Sequence, residues 1–172
     1  GGFYPKVNLV NLARALATLG PAVRLRVVGG LSRHHRRQIE KGGFSGGLEV
    51  VPPVPYAEAI REMRSAHALL HALWTGPSTA SFQSAKTFEY LRSGRPVLGL
   101  LPEGEAQRLF ARWGHPVLPP EASEAGIRSV LAPWVSDPPA TRPPDEALRS
   151  FERRAQALTL GRLLDGIAGG GA

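Results

Sequence analysis

The 172 residues contain no cysteine, which excludes disulfides, thiolate-held zinc and iron–sulfur clusters and makes a reducing compartment, the cytoplasm, the plain expectation. Aspartate occurs only at Asp137, Asp145 and Asp165, so there is no Asp-x-Asp pair to hold a divalent cation on a diphosphate. Lysine is confined to Lys6, Lys41 and Lys86. No apolar run approaches the roughly 18 residues of a membrane span, and no basic-then-apolar leader opens the chain, so a soluble protein is expected. Gly-x-Ser-x-Gly, Walker and Gly-x-Gly-x-x-Gly patterns are missing, which argues against hydrolase, ATPase and classical dinucleotide chemistry. There is no internal repeat.

What the chain does have is positive charge. Its formal net charge of +7 and isoelectric point near 10.7 predict a polyanionic or phosphate-bearing partner, or simply an arginine-rich surface. The 42% hydrophobic content is enough to bury one core. An arginine-heavy, proline-rich composition with a single methionine, Met63, fits a thermophilic or GC-rich source.

Hydrophobic periodicity alternates helix and strand, with each helix bounded by glycine or proline. The spacing predicts a helix over 7–19 closed by Gly20-Pro21, a strand over 23–28, and a helix capped by Ser32 and running to Lys41. A strand over 48–51 then leads into the Pro52-Pro53-Val54-Pro55 turn. Further on it predicts a helix over 56–65, a strand over 68–73, a loop over 74–83 and a helix after Ser84 that stops at Gly94. A strand over 96–101, a helix over 104–113, a short strand over 115–118 and a helix over 123–135 follow. The near-continuous apolar strands call for helices on both faces, hence an α/β, doubly wound, mostly parallel, Rossmann-like sheet. Residues 1–136 form the expected domain, 137–144 a proline-rich linker, and 145–172 a terminal helix with a frayed glycine-rich tail.

In such sheets ligands sit beyond the carboxyl ends of the strands, here the loops at 29–30, 52–55, 74–83 and 102–105. The segment Ser84-Ala-Lys-Thr-Phe-Glu-Tyr-Leu-Arg-Ser-Gly-Arg-Pro-Val-Leu-Gly99 leaves one of those loops. Ser84 is the expected N-cap, the amides up to Thr87 would point outward with the positive helix end, Phe88 and Leu91 would face the core, and Gly94 would supply the left-handed stop. Lys86 and Glu89 stand one turn apart, the spacing of a solvated ion pair. A lysine in a first turn opposes the dipole, which equally suits a ligand-facing cation. The pair Gly29-Gly30 permits close backbone approach to a phosphate or makes an ordinary turn, and Lys6 reads as an anion contact or an exposed loop side chain. Five histidines include His34-His35, about 100° apart on a helix, and His67 and His71, straddling a strand start. Neither pair resembles a zinc site, and surface or satisfied core positions are expected.

The run Lys-x-x-Glu-Tyr-Leu-x-x-Gly-Arg-Pro-Val-Leu resembles the signature of the sugar-nucleotide-binding half of group 1 glycosyltransferases of the GT-B type. Gly1-Gly2-Phe3-Tyr4 before a helix, the strand ending at Gly29-Gly30, and Glu103-Gly104-Glu105-Ala106 opening a helix fall in the matching order. The resemblance implies the carboxyl-terminal half of a GT-B fold that binds a nucleoside diphosphate sugar and uses neither metal nor resident cofactor. By the resemblance Glu89 accepts the ribose hydroxyls, Lys86 and the 84–87 amides hold the diphosphate with help from Gly2, Lys6 and Gly30, and Pro55 borders the base. Where the family commonly has a second glutamate, eight residues before Glu89, this chain has Ser81, which leaves the sugar open. The expected partners are the donor, an unknown acceptor and an amino-terminal acceptor domain that, with Gly1 in place of Met, is expected to precede this fragment. The fragment alone is expected to be inactive, with its catalytic group in that domain and a peripheral membrane contact allowed. The alternatives are a basic αβ module that binds nucleic acid or an anionic membrane without catalysis, and half of a GT-B sugar-nucleotide epimerase. The solvated reading of Arg33-His-His-Arg-Arg37 and Arg153-Arg154 is preferred over nucleic-acid contact, since no aromatic platform interleaves them.

Overall fold

The computed structural model describes residues 3–76, 79, 81, 84–139, 148–149 and 151–169. Gly2, part of the proline-rich stretch (140–144) and the tail from 170 lie outside them. The chain forms two compact units, Gly1–Arg142 and Pro143–Ala172.

In the first unit the order is α1 (Val10–Ala17), β1 (Leu25–Val28), α2 (Arg33–Lys41), β2 (Leu48–Val51), α3 (Tyr56–Ser65) and β3 (Leu69–Ala72). Then come α4 (Ala85–Ser93), β4 (Val97–Leu100), α5 (Glu105–Arg112), β5 (Val117–Leu118) and α6 (Glu124–Trp134). Local chemistry sets most of these boundaries. The Ser32 hydroxyl accepts from the His35 amide at 3.2 Å and opens α2, and the Ser123 hydroxyl accepts from Gly126 at 3.1 Å and opens α6. Gly94, at φ 73°, closes α4 in the left-handed region.

Several elements are shorter than expected, among them α1, which ends at Ala17 rather than 19, and β5, which covers only Val117–Leu118 rather than 115–118. The amide of Val7 is spent on a turn to Tyr4, the Asn8 side chain accepts from Val10, and the Gln38 side chain accepts from Leu9, so α1 starts only at Val10. Val7 and Leu9 are nonetheless buried in the core. The Val23 amide closes a turn onto Gly20, which delays β1 to Leu25. Among the described residues the terminal helix, α7, runs Arg153–Gly169 rather than from 145, and 145–147 lie outside them.

Among the described residues all strand pairs are parallel, as expected, but they form two separate ladders. β1 pairs with β2, Leu25 opposite Leu48 and Val28 opposite Val51. β3 pairs with β4, Leu69 opposite Val97 and Ala72 opposite Leu100, and β4 pairs with β5. Helices cover both faces. Leu98, Leu100 and Ala72 share one core with Leu12, Leu16 and Ile127 of α1 and α6. His71, on the opposite face of β3, meets Thr87 of α4 and Phe110 of α5. The four residues of β4 are buried without exception, which is the signature of a strand covered on both sides. α1 and α2 cross so closely that a Cβ on Gly42 would overlap Ala13 and come within 2.9 Å of the Val10 carbonyl. Between β1 and β3 lies a cavity of about 1070 Å³, lined by all four residues of each.

Candidate functional site

The strands of both ladders point the same way within each pair, and their carboxyl ends lead into the loops where the sequence placed a ligand. β1 ends in Gly29 and Gly30, at φ 102° and 101°. A side chain would strain that backbone, although nothing lies within 4 Å of where a Cβ on Gly30 would sit. β3 leads through Leu73 to Trp74 and Thr75, and the Thr75 hydroxyl donates to the Glu121 carboxylate. α4 follows with Lys86 in its first turn.

Two aromatic residues ahead of α1 cross this edge. The Phe3 ring stands edge-on to His35 at 5.7 Å, and the Tyr4 ring tilts against Trp74 at 5.2 Å. The Lys86 ammonium lies 5.9 Å from the centre of the Tyr4 ring, within cation–π reach. Half-burial pushes the Lys86 amine below the ordinary lysine range, and the charge of Glu89 works against that shift. Such an ammonium is held where an anion would relieve its desolvation. Lys86 and Glu89 both line the cavity, together with Tyr90 and His71.

Beneath them His71 is buried, with Nε2 3.2 Å from the Thr87 hydroxyl and its ring 5.8 Å from that of Tyr90. Burial, with a smaller contribution from Lys86, lowers the His71 pKa to about 4, so the ring is neutral at pH 7. Burial, then the charge of Glu89, pushes the Tyr90 phenol up. His71 is therefore the satisfied core histidine the sequence allowed, and it joins β3 to α4.

The structure brings some of the expected residues together and separates others. Lys86 and Glu89 share the cavity wall. Ser84 occupies the N-cap position of α4, but its hydroxyl makes no cap. The hydroxyl is buried without a hydrogen-bond partner among the described residues. Thr87 turns into the core toward His71, and its amide is taken by the Ser84 carbonyl at 3.0 Å, so it offers the ligand edge neither hydroxyl nor amide. Phe88 is half-buried, whereas Leu91 and Thr87 are the helix's fully buried residues. Lys6 is exposed in the turn before α1, and Pro55 is exposed at the start of α3, where its carbonyl accepts from Glu58 and Ala59. Neither they nor Gly30 line the cavity, and Gly2 lies outside the described residues. Tyr4 and Trp74 were not singled out as site residues. For Trp74 the one sequence signal is an aromatic opening the loop after a strand, and for Tyr4 there is none of that kind.

The fold is a Rossmann-like α/β domain, parallel strands with helices on both faces. It superimposes on WaaG, a glycosyltransferase involved in lipopolysaccharide biosynthesis, with a TM-score of 0.62 and 20% sequence identity over 80% of this chain. The match spans 36% of WaaG, little more than a third of its length. No family model matches the chain, and no curated protein sequence matches it.

Proposed function

We propose that this chain is the donor-binding domain of a metal-independent glycosyltransferase that moves a sugar from a nucleoside diphosphate to an acceptor held elsewhere in the complete enzyme. The observation that carries the reading is Lys86: a half-buried ammonium in the first turn of α4, beyond the carboxyl end of β3, on a fold shared with a glycosyltransferase. A diphosphate there would restore what burial removes from the ammonium, and the α4 amino end adds its dipole. During transfer the same two elements would stabilise the charge that builds on the departing nucleoside diphosphate. This is the work a divalent cation would otherwise do, and the sequence has no Asp-x-Asp to hold one. Glu89, one turn along, has the lone pairs to accept both ribose hydroxyls. The group that activates the acceptor belongs to another domain, so this chain binds donor without turning it over.

Calorimetry with UDP and GDP, with and without a chelator, tests the reading. One nucleoside diphosphate is expected to bind with an affinity that ignores the chelator. Lys86→Met should weaken it by about 10- to 100-fold, the worth of one charged hydrogen bond. Glu89→Ala should cost about tenfold for the ribonucleotide and little for its 2′,3′-dideoxy analogue. Unchanged affinity in both variants would remove α4 from the site.

A further inference from the structure

We propose that Tyr4 is a positioning residue: backed by Trp74, its ring holds the Lys86 ammonium at the strand ends, where the diphosphate of the donor would meet it. The inference rests on the donor-binding reading above and adds to it what keeps the cation in place.

A lysine at this position needs such a hold. Its four-carbon stem is flexible, and in the first turn of α4 the positive end of the helix dipole repels its charge. Lys86 is also half-buried, so its ammonium has given up part of its water. The face of an aromatic ring carries partial negative charge that offsets both effects. The Tyr4 ring presents that face with its centre 5.9 Å from Lys86 Nζ. An ammonium already held in place leaves less for the diphosphate to immobilise, so loss of the ring is read as weaker binding.

The ring is itself fixed from three directions. The Tyr4 carbonyl accepts the Val7 amide at 3.0 Å, and the preceding Phe3 stands edge-on to the buried His35 at 5.7 Å. The third support is Trp74, whose ring centre lies 5.2 Å from that of Tyr4 with 55° between the planes, the separation of a favourable aromatic pair. Trp74 is enclosed in turn by its own loop. The hydroxyl and the amide of the buried Thr79 both donate to the Gly76 carbonyl, at 2.6 and 3.1 Å. This turn brings Gly76 so close to the indole that a Cβ there would stand 3.0 Å from Trp74 Nε1. Turn, indole, phenol ring and ammonium form one chain of contacts from the loop after β3 to the first turn of α4, completed by a residue that precedes α1.

Lysine NMR and calorimetry test this on the 172-residue chain, on Tyr4→Leu, Tyr4→Phe and Lys86→Met, and on the Tyr4→Leu/Lys86→Met double variant. Lysine occurs only at Lys6, Lys41 and Lys86, so with carbon-13-labelled lysine the Lys86→Met spectrum identifies the Lys86 signals by their loss. The Lys86 ε-methylene protons should lie upfield of the other two, shielded by the ring face. They should stay there in Tyr4→Phe and return to the ordinary position in Tyr4→Leu. Whichever of UDP and GDP binds the parent should bind Tyr4→Leu about 3- to 10-fold more weakly, the span of a cation–π contact at a half-buried site. Tyr4→Phe should stay within about twofold of the parent, because the ring face is kept. In the Lys86→Met background, where the ring has nothing to hold, Tyr4→Leu should change affinity by less than about twofold. Should Tyr4→Leu fail to fold, Tyr4→Met takes its place in every arm. Lys86 signals that ignore the loss of the ring, or a full Tyr4→Leu effect on top of Lys86→Met, would overturn the positioning role and leave Lys86 in the donor site. A parent chain that binds neither nucleotide would overturn the donor reading, and this inference with it.

Discussion

The β3–β4–β5 half and the β1–β2 half of the first unit are built from the same elements and held by different forces. In the former, β4 is buried throughout, and two neutral histidines replace what would otherwise be apolar side chains. His71 reaches Thr87, and His115 accepts the Val97 amide at 3.3 Å through Nδ1. The Phe110 ring lies edge-on to both, at 5.5 and 5.6 Å. In the latter, β1 and β2 each expose a charged residue. Arg26 spans to Glu49 at 3.1 Å and to both carboxylate oxygens of Glu62 at 2.8 and 2.9 Å. Its apolar side depends on α1 and α2, clamped at Gly42. The first half is vulnerable to cavities and to protons, the second to crowding at one helix crossing and hardly at all to the loss of an ion pair. Both are parallel sheet; what differs is how far water has been excluded.

The comparison is broken most severely at Phe110. Phe110→Ala is expected to cost about 3–5 kcal/mol, since the ring is fully buried and both histidines lean on it, and urea unfolding at pH 7 measures the loss. Acidification comes next. A histidine whose folded pKa is held near 4, against 6.5 when unfolded, binds its proton more readily in the unfolded chain. Stability is therefore full above about pH 6.5, falls as the pH drops toward 4, and levels off below it. For His71 the fall is roughly 3 kcal/mol at about 1.4 kcal/mol for each pKa unit, and unfolding midpoints at pH 7, 5.5 and 4 trace it. His71→Gln should remove its share of that fall and leave the part due to His115, whatever it does to stability at pH 7.

Gly42→Ala sharpens the picture in the other half. With α1 backbone so near the added methyl, a loss of about 1–3 kcal/mol is expected from overpacking. Amide exchange should speed up in α1 and α2 before it does in β4. The smallest effect belongs to Arg26→Met. The fork to Glu62 is solvent-accessible, so melting should move less than in any variant above and less still in 1 M salt. A drop comparable to that of Phe110→Ala would show that the two halves are held alike.

Much of the fold was legible because its signals are local. The Ser32 cap, the Gly94 stop and the 56–65 helix need only neighbours within a turn or two, and they fall where the pattern puts them. The starts of α1 and β1 slipped because Asn8, Gln38 and Gly20 competed for the backbone, and a competitor 29 residues away, as Gln38 is from Leu9, leaves no trace in periodicity. The site divides in the same way. The spacing of Lys86 and Glu89 was visible in sequence, and so was the strand-end position of Trp74. That Tyr4 would meet Trp74 across 70 positions was not. Nor was the rotation of α4 that sends Thr87 inward, since its cause is His71, 16 residues upstream.

β4 is the one strand among the described residues with a neighbour on each side. Its protons should be the last in the molecule to be traded with solvent, outlasting those of β1 by orders of magnitude, because only global unfolding can release them. Val97 is where that endurance begins. Its amide is tied not to another strand but to an imidazole, so a single protonation event at His115 would loosen the most durable part of the domain from its leading end.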